Sequence, residues 1–190
     1  MKYLGNVVNA YKVIARDFIK PQMTLVDATC GNGNDTLFLM KCLSNSGKLY
    51  AVDVQLEAIE STRMLMAQNG YQEGEHLILK HCSHEQFDFL EADELVDFVV
   101  YNLGYLPKGN KGITTTVGTT LSSLSSALEH LKSGGLVVIL SYRGHEAGKE
   151  EAVQLEIFLS ELPQSLYDVC KLDFVNQKNT PPVLWIVEKK

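Results

Sequence analysis

The sequence predicts an α/β doubly wound fold, in which a seven-stranded and mostly parallel sheet lies between helix layers and the last strand runs antiparallel. Three observations carry this. Apolar strand-like runs and amphipathic segments alternate along the chain. Runs such as LVVIL (136–140) are apolar throughout, as strands covered on both faces are. The last two strand-like runs, SLYDVCKLDFV (165–175) and PVLWIVEK (182–189), are joined by too short a segment for a parallel crossover, so they pair antiparallel.

Each element has its own warrant. The amphipathic N-terminus predicts a helix over about 3–19, punctuated by Pro21. A strand over 23–28 leads through a glycine-containing turn into a helix over 34–43. GKLYAVDV (47–54) is a strand, and the spacing of Ile59, Arg63, Met66 and Ala67 predicts a helix over 56–69. HLILKH (76–81) is a strand followed by a short helix over 84–90. The β-branched run 95–103 is the fourth strand, with a polar loop after it from Gly104 to about Thr116. A helix over 119–135 ending on glycine, a strand over 136–142 and a helix over 149–162 complete the alternation. The 190 residues suffice for one domain, 1–190, with the helix of 1–20 packed on it.

Composition narrows the function classes. Hydrophobic residues make up 45% and charged residues 21%, ordinary values for a globular chain. No apolar run approaches the ~20 residues of a membrane span, and the N-terminus lacks the pattern of a signal peptide; the expectation is a cytoplasmic protein without membrane partners. Cys30, Cys42, Cys82 and Cys170 form no CxxC pair and read as reduced thiols. His81-Cys82-x-His84 is too compact to surround an ion, so no metal is expected. A net charge of −6 argues against a protein that coats nucleic acid nonspecifically, though it leaves room for a local basic patch.

The stretch DATCGNGNDT (27–36) stands where the first strand becomes a helix. In a doubly wound sheet this turn is a ligand site, and Gly31 and Gly33 permit close approach to the backbone. A dinucleotide fingerprint would have glycine where Thr36 stands, and Asp35 would repel a pyrophosphate at the helix N-terminus. With Asp27 adding negative charge, the loop suits a cation, and S-adenosylmethionine, which carries a sulfonium and an ammonium but no phosphate, meets that demand. Candidate cofactor residues are Asp27, Thr29, Gly31, Asn32, Gly33, Asn34, Asp35 and Thr36. Asp53 and Gln55, at the second strand's end, join them, since a carboxylate there can accept both ribose hydroxyls. Ser83 and His84, after the third strand, are placed for an adenine edge; Ser83-x-x-Gln86 equally reads as a helix N-cap.

Together these features resemble the class I S-adenosylmethionine-dependent methyltransferases, whose Rossmann-like seven-stranded sheet has an antiparallel last strand. Asn102-Leu103-Gly104-Tyr105 resembles the (N/D)-P-P-(Y/F/W) tetrad of methyltransferases acting on amino nitrogens, with Leu-Gly in place of Pro-Pro. The resemblance implies that Asn102, also a cofactor contact, and a following backbone carbonyl accept hydrogen bonds from the target amine, while Tyr105 packs on the base. TCGNGNDT, HCSHEQF, NLGYLPKGNKGITTT and SYRGHEAGKEE in combination are similar to a narrower family, labelled rRNA methylase. Its characterised members methylate the aminomethyl group of 5-aminomethyl-2-thiouridine at the tRNA wobble position.

That resemblance implies tRNA, through its anticodon loop, as partner. Tyr142 and His145 follow the fifth strand, and either could contact the base or relay the amine's proton; His145 reads equally as a structural loop histidine. Lys108, Lys111, Arg143 and Lys149 are candidate RNA contacts, although each also reads as a solvated surface charge. The N-terminal helix serves as a sheet cap, a lid or a homodimer contact. Competing readings are an rRNA base methyltransferase, a methyltransferase for a small amine, and a non-catalytic S-adenosylmethionine-binding module; an NAD-dependent oxidoreductase is disfavoured by Asp35 and Thr36.

Overall fold

The computed structural model describes residues 5–44, 46–91, 93–104, 115–144 and 146–190. Successive strand side chains alternate between the two faces of the sheet, and both faces of the central strands are buried. Val99, Tyr101 and Leu103 join one core cluster with Val137 and Ile139, while Phe98 and Val100 join another with Leu136, Val138 and Leu140. Helices with apolar stripes cover both faces. α1 (Val7–Phe18), α2 (Asn34–Leu43) and α3 (Leu56–Gln68) lie on the second face through Tyr11, Leu39 and Met66. α4 (Val117–His130) and α5 (Glu146–Ser160) lie on the first through Leu124, Leu128, Leu155 and Leu159.

The seven strands are β1 (Thr24–Asp27), β2 (Lys48–Asp53), β3 (Leu77–His81), β4 (Val96–Asn102), β5 (Leu131–Ser141), β6 (Tyr167–Leu172) and β7 (Val183–Lys189). They form one sheet in the order β3-β2-β1-β4-β5-β7-β6. β1 to β5 are parallel, and β7 inserts antiparallel between β5 and β6. The order reverses between β1 and β4, so the crevice of a doubly wound sheet opens beyond their carboxyl ends.

Two expected elements differ. No helix forms over 84–90. Phe87 takes a left-handed backbone (φ 54) and packs its ring in the core with Phe89. The helix expected over 119–135 instead begins at Val117, where Thr116 and Thr119 form a capping box, and ends at His130. Leu131 already pairs with Val96 as the start of β5, and its side chain occupies the space a Cβ on Gly135 would need. No helix among the described residues is long and apolar enough to cross a membrane.

Gly47, at the entry to β2, has φ +101, and a Cβ there would stand 2.3 Å from the Met23 carbonyl oxygen. Lys48 N donates to that same oxygen, so the strand pair leaves no room to yield. Gly47→Ala is expected to destabilise the fold by about 3 kcal/mol, measured by urea unfolding; a loss below about 0.5 kcal/mol, the level of a neutral surface change, would contradict the packing described.

Candidate active site at the β1–β4 crevice

A cavity of about 770 Å³ opens at the carboxyl ends of the parallel strands. Its volume is in the range of small-molecule and cofactor sites. It brings together Thr29, Gly31, Asn32, Asn34, Asp35, Asp53, Gln55, Ser83, His84, Asn102, Tyr142 and Arg143, residues singled out in the sequence and spread over five strand ends.

The glycine turn is shaped by contacts as well as by flexibility. Gly31 and Gly33 have φ 53 and 78, where side chains are disfavoured. A Cβ on Gly33 would meet Thr62 Cα on α3 at 2.9 Å, and Thr62 Oγ1 donates to the Gly31 carbonyl. Thr36, standing where a dinucleotide site has glycine, is fully buried and donates its hydroxyl to Asp27 Oδ2 at 2.7 Å. Asp27 itself lies beneath the cavity, 1% exposed, with Thr29 N donating to Oδ1. Asp27, Gly33 and Thr36 therefore support the turn from below.

Asp35 is the meeting point of three elements. Its Oδ1 accepts from the Tyr11 hydroxyl (2.8 Å) and pairs with Lys12 (3.0 Å), both on α1; its Oδ2 accepts from Asn102 Nδ2 (3.1 Å) at the end of β4. A carboxylate only accepts, so it fixes the Asn102 amide with the NH₂ toward Asp35 and leaves Oδ1 as the acceptor. The Asn102 backbone N–H donates to Thr29 Oγ1 at 2.7 Å, joining the ends of β1 and β4.

Asp53 Oδ2 accepts from Gly31 N and Oδ1 from Gln55 N, each at 3.0 Å. These bonds orient a half-buried carboxylate at the cavity wall and leave lone pairs for further donors. Burial lowers the His84 imidazole to about 4, so the ring is neutral near pH 7, and its Nδ1 has no hydrogen-bond partner among the described residues. Ser83 Oγ accepts from Glu85 N in a local turn rather than capping a helix. Burial, with Asp35 nearby, pushes the Tyr142 phenol up; near neutral pH it is a donor rather than a base. Burial likewise pushes the Cys30 thiol up, which keeps it from acting as a nucleophile.

Two of the four candidate RNA-contact cations lie among the described residues. Arg143 lines the cavity, but its guanidinium is held by both Asp173 carboxylate oxygens, at 3.1 and 3.0 Å, and by the Pro181 carbonyl. Lys149 is exposed on α5 outside the cavity lining. Tyr105, Lys108, Lys111 and His145 lie outside the described residues. With Lys12 on Asp35 and Arg143 on Asp173, the Asp53 carboxylate in the wall and Asp27 beneath leave the site suited to a cationic ligand with hydroxyls and an amine. That fits the sulfonium, ammonium and ribose of S-adenosylmethionine and disfavours a phosphate-bearing cofactor.

Tyr11 and Glu151 escape a reading of local motifs, although both leave a signal. Glu151 sits at the helical spacing of Leu155 and Leu159, and Tyr11 at that of Val7 and Ala15, so each places a polar group on an apolar stripe.

Burial, and then the nearby Asp35 charge, push the Asp27 carboxyl up to about 7. The folded chain thus holds this proton more tightly than the unfolded one. The resulting stability is complete below about pH 4, the unfolded value, and is lost as pH rises through about 7. Asp27→Asn keeps an acceptor for Thr29 N and can donate to Thr36 Oγ1. It is expected to match the wild type in stability near the unfolded pKa and to exceed it at alkaline pH, by about 4 kcal/mol at most. Parallel stability curves for the two proteins would contradict this.

Comparison with known proteins agrees with the geometry. Residues 49–188 match the family model described as "Putative rRNA methylase". The chain is 39% identical over 185 residues to the chloroplastic tRNA (mnm(5)s(2)U34)-methyltransferase of Arabidopsis thaliana, covering 94% of this chain and 68% of that protein. The crystal structure of a "putative rRNA-methylase" from Clostridium thermocellum superposes with a TM-score of 0.93 at 35% identity, over 98% of this chain and 99% of that one. A "putative methyltransferase" from Streptococcus mutans, solved in complex with SAH, superposes at 0.84 with 32% identity, over 96% and 97% of the two chains. With the class I methyltransferase topology and a cavity fitted to that cofactor, the chain belongs to this rRNA methylase family of S-adenosylmethionine-dependent methyltransferases.

Proposed function

We propose that this methyltransferase transfers the methyl group to the exocyclic amine of 5-aminomethyl-(2-thio)uridine at the wobble position of tRNA. The observation that carries the reading is the Asn102 amide. Asp35 holds its NH₂, so Oδ1 at the cavity wall is the acceptor offered to an amine N–H. The identity with a wobble-uridine methyltransferase supplies the nucleoside.

When bound, S-adenosylmethionine supplies an electrophilic methyl on a sulfonium. The nitrogen–methyl bond forms as the sulfur–methyl bond breaks, and the amine gives up one proton to solvent. An aliphatic amine titrates near about 10.4 and is mostly protonated at neutral pH. An acceptor in a desolvated cleft favours the neutral amine and directs its lone pair. Asn102 Oδ1 performs this task, and Tyr142, kept as a phenol, bears on the base as a donor or packing surface. Asp53 accepts the ribose hydroxyls, the Gly31–Asn34 turn and Asp35 hold the amino-acid end, and Ser83 with neutral His84 lies along the adenine. Lys108 and Lys111, which follow β4 in the sequence, offer cations to the anticodon-loop phosphates. Arg143, held by Asp173, shapes the rim. A flipped-out base is read by shape and stacking more than by a broad basic face, which accommodates the net charge of −6.

The test is nucleoside mass spectrometry after incubating the protein with S-adenosylmethionine and, in parallel, tRNA bearing 5-aminomethyl-2-thiouridine, ribosomal RNA and small primary amines. A gain of one methyl on the wobble nucleoside alone is expected. Methylation of ribosomal RNA or small amines instead would replace the substrate assignment. Asn102→Ala is expected to lower kcat on tRNA about 100-fold at saturating cofactor; an unchanged kcat would remove Asn102 from the reaction.

A further inference from the structure

Glu151, on α5, is 6% exposed and lies outside the cavity lining. Its carboxylate faces two hydroxyls. Thr120 Oγ1, on α4, donates to Oε1 at 2.7 Å, and Thr115 Oγ1 donates to Oε2 at 3.1 Å. Thr115 does more than satisfy the carboxylate. Its Oγ1 accepts from Gly104 N at 3.1 Å, and its own N–H donates to the Gly104 carbonyl at 3.2 Å. Gly104 follows β4 and Thr115 precedes α4, and these two bonds hold them together.

A hydroxyl has one proton and two lone pairs. Because the Thr115 proton points to Glu151, its lone pairs are what Gly104 N–H meets. That N–H shares a planar trans peptide with the Leu103 carbonyl, so fixing one sets the direction of the other. Leu103 N–H is fixed in turn by the Leu140 carbonyl at 3.0 Å. The Leu103–Gly104 peptide is thereby held at its Gly104 N–H and the peptide before it at its Leu103 N–H, with Leu103 and Gly104 in the cavity wall.

We propose that Glu151 is a positioning residue for methyl transfer. Through Thr115 it fixes the Leu103–Gly104 peptide, so that the Leu103 carbonyl and Asn102 Oδ1 form one preset pair of acceptors for the target amine. Thr120 locks the other carboxylate oxygen and ties the device to α4. The proposal rests on the amine-methylating function for its kinetic arm only; the hydrogen-bond chain has its own readout.

The experiment compares Glu151→Gln, Thr115→Val and Thr115→Ser with the wild type in three measurements: amide hydrogen exchange at Gly104 by NMR, affinity for S-adenosylhomocysteine, and kcat on tRNA at saturating cofactor. In Glu151→Gln and Thr115→Val, Gly104 exchange is expected to rise at least tenfold, with Asn102 exchange unchanged. Cofactor-product affinity should stay within threefold, while kcat falls 10- to 100-fold, the scale of a small misplacement of reacting groups. Thr115→Ser, which keeps the hydroxyl, should restore both Gly104 protection and turnover relative to Thr115→Val. Unchanged Gly104 exchange in Glu151→Gln and Thr115→Val would overturn the proposal, as would kcat losses that only track lost cofactor affinity. If the wild type itself fails on tRNA, the substrate assignment falls, and the exchange arm still decides whether Glu151 holds the peptide. Should Glu151→Gln not fold, the Thr115 pair carries the same comparison.

Discussion

The site depends on one buried carboxylate. Asp35 joins α1 to β4 across the first turn of α2, accepting from Tyr11, Lys12 and Asn102. A carboxylate taken out of water without partners costs several kcal/mol, so each donor is tied to the others' presence. Burial and the adjacent carboxylate push the Tyr11 phenol up and keep it a donor. The N-terminal helix is therefore part of the site's foundation as well as a cover for the sheet. Without α1, Asp35 would lack its cation, and Asn102 would lose the group that sets which end of its amide faces the cavity.

Around this node the electrostatics are arranged for positive charge. Asp27, Asp35 and Asp53 converge where β1 and β2 end, and among the described residues Lys12 and Arg143 are already committed to carboxylates. A site of this kind holds a sulfonium and an ammonium, and it also lowers the cost of bringing an amine near. The neutral His84 and the protonated Tyr142 add polar atoms without adding charge. In the proposed reaction, catalysis is a matter of placement: acceptors preset by hydrogen bonds to parts of the fold that do not touch substrate.

Much of the framework was legible because it is written in local periodicity. Apolar runs marked the strands, the glycine pair marked the turn, and the short final connection marked the antiparallel end. Local patterns stop short of side-chain pairing. Tyr11 meets Asp35 across 24 residues because α1 and α2 pack on the same face, and Asn102 meets it across 67 because the sheet places β1 beside β4. Arg143 read as a surface cation because Asp173, on a strand end 30 residues later, could not be foreseen as its partner. The helix expected over 84–90 gave way to burial of Phe87 and Phe89, where tertiary packing overrides local propensity. Thr36, which looked like a mere absence of glycine, turns out to donate to Asp27.

The claim that Asp35 acts on the reaction by orienting Asn102 is tested most directly by a double-mutant cycle on kcat, at saturating cofactor and tRNA, with Asp35→Asn and Asn102→Ala. If the orientation is the link, Asp35→Asn lowers kcat in the wild-type background and adds less than about twofold to the loss in the Asn102→Ala background. If the two losses multiply instead, the residues act independently, and the Asp35–Asn102 contact does not carry the role assigned to it.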